Sequence, residues 1–231
     1  MESAIGVLAI KSFVLRSGRM SSAQKRSYET LFPLYAVKGD DSEIDSKIIE
    51  CFSLFGNTNP LVIEIGFGMG RATASIAYKN PDINYLGIEV HKPGIGRLLW
   101  EIERLGIKNI RIVEGDAAEI LTDRIQDNSV SAFHIFFPDP WPKKRHYKRR
   151  LIKRPFTDLL AGKLVSGGYV YMVSDWVDYA EWALEELSAT DGLANKYSAF
   201  SEPQQWRPET EFEKKGRFKN HEIRELFFIK T

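Results

Sequence analysis

A loop bounded by prolines places one carboxylate beside an aromatic ring and a run of cations. The loop extends from Pro138 to Pro142 and contains Asp139 and Trp141. Prolines fix φ and have no backbone N–H, so this segment is a stiff loop and not the interior of a helix or strand. A fixed carboxylate and an aromatic face beside positive charge are suited to holding one base of a polyanion. The loop follows an apolar stretch that predicts a strand, and open α/β sheets bind ligands at such strand ends.

Residues 143–154 form a dense cluster of positive charge. They include eight Lys or Arg and no acid, although the net charge of the whole chain is only +1. Local asymmetry of this kind indicates a phosphate-rich partner better than the net charge does. The alternative interpretation is a solvated helix face.

A glycine-rich turn predicts a site for a nucleoside-containing cofactor. Gly66, Gly68 and Gly70 follow a β-branched run and precede a helical pattern, and Glu89 lies at the end of the next predicted strand. Glycines permit a tight turn, and a carboxylate placed like Glu89 accepts hydrogen bonds from ribose hydroxyls. Glu64 would repel the pyrophosphate of a dinucleotide and would pair with an ammonium group. S-adenosylmethionine has an amino group, a sulfonium and no phosphate, so it fits better.

The end of the third predicted strand completes this pocket. Asp116 and Ala117 lie there, and we expect them beside the adenine. The alternative for Asp116 is the N-cap of the following helix.

Strand patterns alternate with helix patterns over most of the chain, which predicts an α/β fold with a mostly parallel sheet and helices on both faces. Two consecutive strand patterns at the end predict an antiparallel finish. Residues 1–40 are weakly periodic and predict an N-terminal arm, partly flexible, before one domain over 41–231. The helix patterns lie at 41–55, 70–78, 96–105, 118–121, 151–163 and 175–188, and the strand patterns at 61–65, 85–89, 110–113, 130–137, 169–173, 197–200 and 223–229.

The composition excludes several classes of protein. The single cysteine, Cys51, leaves no internal disulfide framework. His134 and His146 are isolated from other metal-ligand side chains, so we predict no metal site. No apolar run approaches the ~18–20 residues that span a bilayer, and the N-terminus does not fit a secretory signal, so we predict a cytoplasmic protein.

The sequence resembles the bacterial tRNA (guanine-N(7)-)-methyltransferase family from about Phe13 to the C-terminus. The glycine turn alone would mark only the wide class of class I S-adenosylmethionine-dependent methyltransferases, whereas the proline-tryptophan-lysine block is far more specific. The resemblance implies a Rossmann-like class I fold with a seven-stranded sheet. It rests on residues 16–19, 64–70, 87–91, 138–146 and 210–213.

The resemblance implies methyl transfer to N(7) of a guanine in tRNA, at position 46 in the variable loop. The sequence leaves a monomer and a homodimer both open. The resemblance also implies an active-site role for Asp139 and cofactor contacts at Glu64, Glu89 and Asp116. It further implies substrate contacts at Lys143, Asp175, Thr210, Glu211, Phe212 and Glu213, and RNA contacts at Arg145, His146, Tyr147, Lys148, Arg149 and Arg150.

The chemistry of N(7) determines what Asp139 has to do. This nitrogen has a lone pair and no proton, so it attacks the methyl group directly and needs no general base. Asp139 is therefore predicted to orient the guanine and to stabilise its developing positive charge. Trp141 either stacks on the base or forms a wall of its pocket. Asp175 either orients the substrate or caps the following helix.

Three alternatives keep part of this pattern. Asp139-Pro140-Trp141 resembles the loop of enzymes that methylate exocyclic amines, but in those enzymes a second proline precedes the aromatic residue. A non-catalytic RNA-binding protein is disfavoured by the intact glycine turn with its acids. A nicotinamide-dependent reductase is disfavoured by Glu64.

Overall fold

The computed structural model describes residues 11–14, 18–37, 48–210, 213 and 222–231. The chain divides into two compact units. The first unit is Leu15–Gln126 with Gln205–Pro208, and the second unit is Met1–Val14, Asp127–Gln204 and Glu209–Thr231. The predicted division into an arm over 1–40 and a domain over 41–231 stays a prediction. Among the described residues, no helix is long and apolar enough to cross a membrane.

The first unit is built on three parallel strands in the order β3-β2-β1. Every residue of β1 and β2 is buried, which explains why both are mostly apolar and do not alternate between apolar and polar residues. Its strands are β1 (Leu61–Ile65), β2 (Asn84–Glu89) and β3 (Ile110–Glu114), and its helices are α1 (Ser22–Tyr35), α2 (Cys51–Phe55), α3 (Arg71–Lys79), α4 (Lys92–Leu105) and α5 (Ala117–Arg124).

The second unit contains four strands in the order β4-β5-β7-β6. β4 pairs with β5 in parallel, whereas β7 is antiparallel to both β5 and β6. Its elements are β4 (Val130–Phe136), a 3₁₀ helix (Lys144–Arg149), α6 (Phe156–Lys163), β5 (Leu164–Ser174), α7 (Val177–Ser188), β6 (Leu193–Asn195) and β7 (Arg224–Lys230).

The predicted fold class is confirmed. The structure has a seven-stranded, mostly parallel sheet with an antiparallel C-terminal strand and helices around it. This is the architecture in which ligands bind outside the carboxyl ends of the parallel strands.

Helix α1 was not predicted from the sequence. It begins after a capping box, in which the Ser21 hydroxyl accepts from the backbone N–H of Gln24 at 3.3 Å and the Gln24 side chain accepts from the backbone N–H of Ser21 at 2.8 Å. Serine followed three residues later by glutamine is a recognisable helix start. Pro33 lies inside the helix and weakens its periodic pattern.

Helix α1 packs closely on α4. The Gln24 side chain donates to the carbonyl of Pro93 at 3.0 Å. A Cβ at Gly96 would lie 2.6 Å from the carbonyl oxygen of Gln24, closer than real Cβ contacts come. Gly96 is therefore required by the close approach of the two helices.

Two predicted helices begin later than expected. Residues 48–50 are not helical, and α2 begins at Cys51, while residues 41–47 lie outside the described residues. In the second case α6 begins at Phe156 and not at residue 151, because side chains of α7 bind the backbone of Ile152 at both its N–H and its carbonyl.

The strand predicted over 197–200 is wrong. In this part of the chain the strand that pairs with β7 is Leu193–Asn195. The Asn195 side chain ends it, because its oxygen accepts from the backbone N–H of Tyr197 at 3.1 Å and its amide donates to the carbonyl of Ala199 at 2.8 Å. Such local side-chain bonds compete with the pairing of strands.

Replacing Gly96 with alanine should destabilise the protein. The new methyl group has to push α1 away from α4, and overpacking of this kind costs about 1–3 kcal/mol. The matched control is Gly162→Ala in α6, where a Cβ meets nothing within 4 Å. Thermal melts should show a lower Tm for Gly96→Ala than for Gly162→Ala, and equal Tm values would contradict the close packing described here.

Candidate active site

The glycine turn after β1 has the backbone conformation that only glycine adopts without strain. The φ angles are +71° at Gly66, +56° at Gly68 and +65° at Gly70. A Cβ at Gly66 or Gly68 would meet nothing within 4 Å, so the surface of the turn is open. The turn thus combines a fixed backbone shape with free space for a ligand.

Glu89 at the end of β2 holds this turn in place. One of its carboxylate oxygens accepts from the backbone N–H of Gly68 at 2.7 Å. The other accepts from Val90 at 2.7 Å and from His91 at 3.0 Å. Burial raises the pKa of Glu89, and the three backbone donors oppose that effect. The predicted ribose contact is compatible with these bonds, because the oxygen that accepts from Gly68 has a second lone pair.

Glu64 on β1 is a buried carboxylate, with only 3% of the residue exposed. Burial, with a smaller contribution from the nearby Glu89 charge, raises the pKa of Glu64 to about 8. A bound cation would favour the ionised form of such a group. The chemistry of this position therefore suits a ligand that carries an ammonium.

Asp116 caps helix α5. Its side chain accepts from the backbone N–H of Ala118 at 3.0 Å, as the alternative interpretation expects. Asp116 is only half-buried, and it lies two residues after the end of β3. Its predicted contact with the cofactor, and that of Ala117, remain compatible with the cap.

Together these residues fit a nucleoside that carries an amino acid. They lie at the carboxyl ends of β1, β2 and β3, where a parallel sheet binds its ligand. The open glycine turn offers backbone donors, while the acids suit ribose hydroxyls and an ammonium. An acid at Glu64 does not suit a pyrophosphate.

In the second unit, the proline loop is flanked by two strained residues. Phe137 has φ +51° and Trp141 has φ +45°, the left-handed region that bulky residues avoid. Each such residue costs about 1–3 kcal/mol and persists only where its surroundings enforce it. The backbone N–H of Phe137 donates to the carbonyl of Val173 on β5 at 2.8 Å. Asp139, between the two strained residues, is exposed.

The contacts of Trp141 favour a wall over a stacking platform. Its indole N–H donates to the carbonyl of Ser12 at 2.9 Å. The Arg149 guanidinium lies over its ring at 4.0 Å from the centroid, and the His146 ring meets it edge-on at 5.9 Å. Arg149 also donates to the carbonyl of Phe13 at 2.8 Å. Trp141 thus joins residues 12–13 to the cluster of cations at residues 143–154, which we call the basic segment.

The basic segment contains cations of two kinds. Lys143, Lys144, Arg145 and Lys148 are exposed and are available to phosphates. Arg150 has none of its surface exposed and is ion-paired with Asp178. The prediction that Arg150 contacts RNA is therefore corrected, because its guanidinium lies inside the protein.

Other predicted substrate residues lie in the second unit. Asp175 directly follows β5, and the N-cap of α7 is Trp176, so Asp175 is not the cap. The backbone N–H of Glu213 donates to the Thr210 hydroxyl at 3.1 Å, and the backbone N–H of Thr210 donates to the Glu213 carboxylate at 3.3 Å. Glu211 and Phe212 lie outside the described residues.

The sequence did not indicate the exposure of Trp176 or the burial of Arg150, two residues of this unit. Trp176 is 38% exposed beside Asp175, an unusual position for so large an apolar side chain. Arg150 looks like one more cation of a charged run, and no sequence signal distinguishes it from its exposed neighbours.

The described part of the chain contains no group of three or more His, Cys, Asp or Glu that could hold a metal ion. His134 is fully buried, and burial lowers its pKa to about 3, so it is neutral at physiological pH. Its ring nitrogen Nε2 lies 3.1 Å from the Tyr169 hydroxyl. His134 is therefore part of the core of the second unit.

Known proteins resemble this chain over nearly its whole length. A family model described as "Putative methyltransferase" matches residues 58–226. The tRNA (guanine-N(7)-)-methyltransferase of Nitrosospira multiformis is 43% identical over 96% of this chain and 94% of that protein. The protein of the same name from Treponema pallidum is 45% identical over 96% of each chain. Among solved structures, the aminoglycoside resistance methyltransferase NpmB1 has a TM-score of 0.53 at 15% identity, over 76% of this chain and 89% of that one, which shows a shared fold alone.

Replacing Glu64 with glutamine should stabilise the ligand-free protein, and more so at high pH. Because the folded pKa of about 8 lies above the ordinary value of 4.5, the folded protein keeps a proton that the unfolded chain has lost between these pH values. Its stability therefore falls as the pH rises through this window. Glutamine removes this penalty, which is on the order of a few kcal/mol at the upper end.

Melting curves of the ligand-free protein at pH 5 and pH 8 measure this effect. The gain in Tm of Glu64→Gln over the wild type should be larger at pH 8. The control is Glu119→Gln, at an exposed position of α5. A gain that is the same at both pH values would contradict the buried, protonated carboxyl.

Proposed function

The chain belongs to the tRNA (guanine-N(7)-)-methyltransferase family, and from this premise we propose that its first unit holds the methyl donor and its second unit holds the guanine. It is an S-adenosylmethionine-dependent enzyme that methylates N(7) of a guanine in tRNA. The target that we propose is the guanine at position 46 in the variable loop, as the resemblance of the sequence implies.

The first unit is proposed to bind the cofactor at the ends of its three strands. Glu64 pairs with the ammonium group, and the turn from Gly66 to Gly70 supplies backbone N–H groups and space. Glu89 accepts from the ribose hydroxyls, while Asp116 and Ala117 border the adenine. The observation that supports this assignment is the buried Glu64 carboxyl with its raised pKa, since a cationic ligand offsets the cost of its burial.

When bound, S-adenosylmethionine supplies a methyl group on a positively charged sulfonium. The N(7) lone pair of guanine attacks this methyl group directly. The protein therefore has to align the base and stabilise charge, and it does not have to remove a proton. The guanine becomes cationic as the methyl group arrives. A fixed carboxylate beside the base is therefore worth more in the transition state than in the ground state.

Asp139 is proposed to be that carboxylate. The observation that carries this proposal is its setting: an exposed acid between two prolines, in a loop whose flanking residues Phe137 and Trp141 both have positive φ. Backbone strain of this kind is concentrated at functional sites. Asp139 also accepts hydrogen bonds from the N–H edge of guanine, which adenine does not offer, and an unpaired carboxylate in the adenine complex is costly.

The exposed cations of the basic segment are proposed to bind the tRNA backbone. Lys143, Lys144, Arg145 and Lys148 are exposed and lie on or next to the 3₁₀ helix that follows the proline loop. Contacts between Lys or Arg and phosphates supply affinity without reading sequence. They therefore position the tRNA, while the proline loop selects the base.

Asp175, Thr210 and Glu213 are proposed to complete the substrate site, with Glu211 and Phe212 beside them. We further propose that the enzyme works in the cytoplasm, and the resemblance to bacterial tRNA-modifying enzymes supports this proposal. A monomer and a homodimer both fit this proposal.

Methylation of unmodified tRNA tests the activity and the target together. The enzyme should transfer a methyl group to a tRNA transcript, and nuclease digestion with mass spectrometry should identify 7-methylguanosine at position 46. A transcript with adenine at position 46 is the control and should not be methylated. A methyl group on an exocyclic amine would refute the assigned atom, and 7-methylguanosine elsewhere would refute the assigned position.

Replacing Asp139 with alanine should lower the rate of methyl transfer by about 100-fold or more, the range seen when one stabilising group is removed from an active site. Binding of S-adenosylmethionine should stay within about twofold of the wild type, because the proposed cofactor residues lie elsewhere. Single-turnover rates and calorimetry measure the two quantities. A mutant that keeps its maximal rate and loses cofactor affinity would show that the role of Asp139 is wrong.

A further inference from the structure

Arg150 is a fully buried cation directly after the 3₁₀ helix. None of its surface is exposed, whereas its carboxylate partner Asp178 on α7 is 54% exposed. The side-chain Nε of Arg150 donates to the carbonyl of Pro140 at 3.0 Å, and Nη2 donates to Asp178. One guanidinium thus joins the proline loop to helix α7.

Aromatic rings enclose this guanidinium. The Tyr147 ring lies 3.6 Å from it, and the rings of Tyr179 and Trp182 on α7 lie 5.1 Å away. The Tyr147 hydroxyl also lies within hydrogen-bond distance of Asp178. The side chain is held on several sides, so its donors have a fixed direction.

Burying a guanidinium is costly unless its donors are paired. A surface position would provide water for every donor, and the same segment places four other cations there. We therefore look to the two acceptors of Arg150 for the reason that an arginine is buried here. One of them, Asp178, anchors it, and the other is a backbone carbonyl of the loop.

The Pro140 carbonyl is an acceptor through which the loop can be held from outside. Pro138, Pro140 and Pro142 have no N–H, so the loop has few backbone donors with which to fix itself. Pro140 follows Asp139 directly and precedes the strained Trp141. A donor that fixes this carbonyl also fixes the peptide plane between Pro140 and Trp141, one residue beyond Asp139.

We propose that Arg150 is a positioning residue, which acts through the Pro140 carbonyl to aim the Asp139 carboxylate at the guanine. This inference rests on the proposed role of Asp139. It assigns to Arg150 a part in the methyl-transfer step and none in the grip on tRNA phosphates. Lysine cannot replace it, because an ammonium lacks the planar fork that reaches two acceptors in fixed directions.

The test compares Arg150→Lys with the wild type in single-turnover methylation of unmodified tRNA. The rate of methyl transfer should fall by about 10- to 100-fold, the size of effect that a small misplacement of a reacting group produces. The Kd for tRNA, its salt dependence and the Kd for S-adenosylmethionine should stay within about twofold of the wild type. The matched control is Arg104→Lys in α4, an arginine that also has a carboxylate partner, Glu101, and an aromatic neighbour, Trp100.

A second variant shows what a phosphate contact looks like. Lys148→Ala, at an exposed position of the same segment, should weaken tRNA binding and reduce the slope of log K against log salt by about 0.7–0.9. If Arg150→Lys behaves in that way and keeps its rate of methyl transfer, Arg150 is a phosphate contact and the proposal is refuted. A wild-type rate would refute it as well.

A double-mutant cycle separates positioning from a general structural role. If Arg150 acts through Asp139, Arg150→Lys should have no further effect on the rate in an Asp139→Ala background. Equal losses in both backgrounds would refute the proposal. If Arg150→Lys melts below the assay temperature, Asp178→Asn replaces it in the cycle, with the same expected outcomes. A wild-type enzyme that made no 7-methylguanosine would refute the proposed function instead, so the two failures are distinguishable.

Discussion

A loop with three prolines has few backbone donors with which to fix its own position, and the contacts around this loop in the second unit answer that constraint. Hydrogen bonds to other parts of the chain hold the loop and its ends. The N–H of Phe137 binds β5, the indole of Trp141 binds the carbonyl of Ser12, and the guanidinium of Arg150 binds the carbonyl of Pro140. With these contacts the strain at both ends of the loop persists, and Asp139 is presented in a fixed direction.

In the first unit, a carboxylate holds a loop in place. Glycines give the turn after β1 its shape, but they also make it flexible in the unfolded chain. Glu89 accepts from three backbone N–H groups, one of which belongs to Gly68, and so fixes the turn to the end of β2. A residue expected from its position to bind a ribose therefore also organises the glycine turn that we propose to hold the cofactor. Replacing Glu89 should therefore disturb both the glycine turn and the binding of the ribose.

Prediction from the sequence succeeded where the signal is local. The buried strands read as apolar runs, and the glycine turn follows β1 as expected, because both depend on neighbouring residues. It failed where distant parts of the chain decide. Helix α1 has a capping box but a weak periodic pattern, and its place depends on the close approach to Gly96. The error over 197–200 has a local cause instead, because the Asn195 side chain stabilises turns there in place of the predicted strand.

The sequence by itself determined the types of residue available for chemistry: an acid between prolines, a glycine turn between acids, and a segment of cations. It also determined the fold class, because the alternation of strand and helix patterns depends on hydrophobic periodicity. Only the tertiary structure decided which cation serves which purpose. Lys148 and Arg150 are close neighbours in one charged segment, yet one is solvated and the other is enclosed by aromatic rings. The physical reason is that the burial of Arg150 depends on side chains of α7, a helix that lies further along the chain.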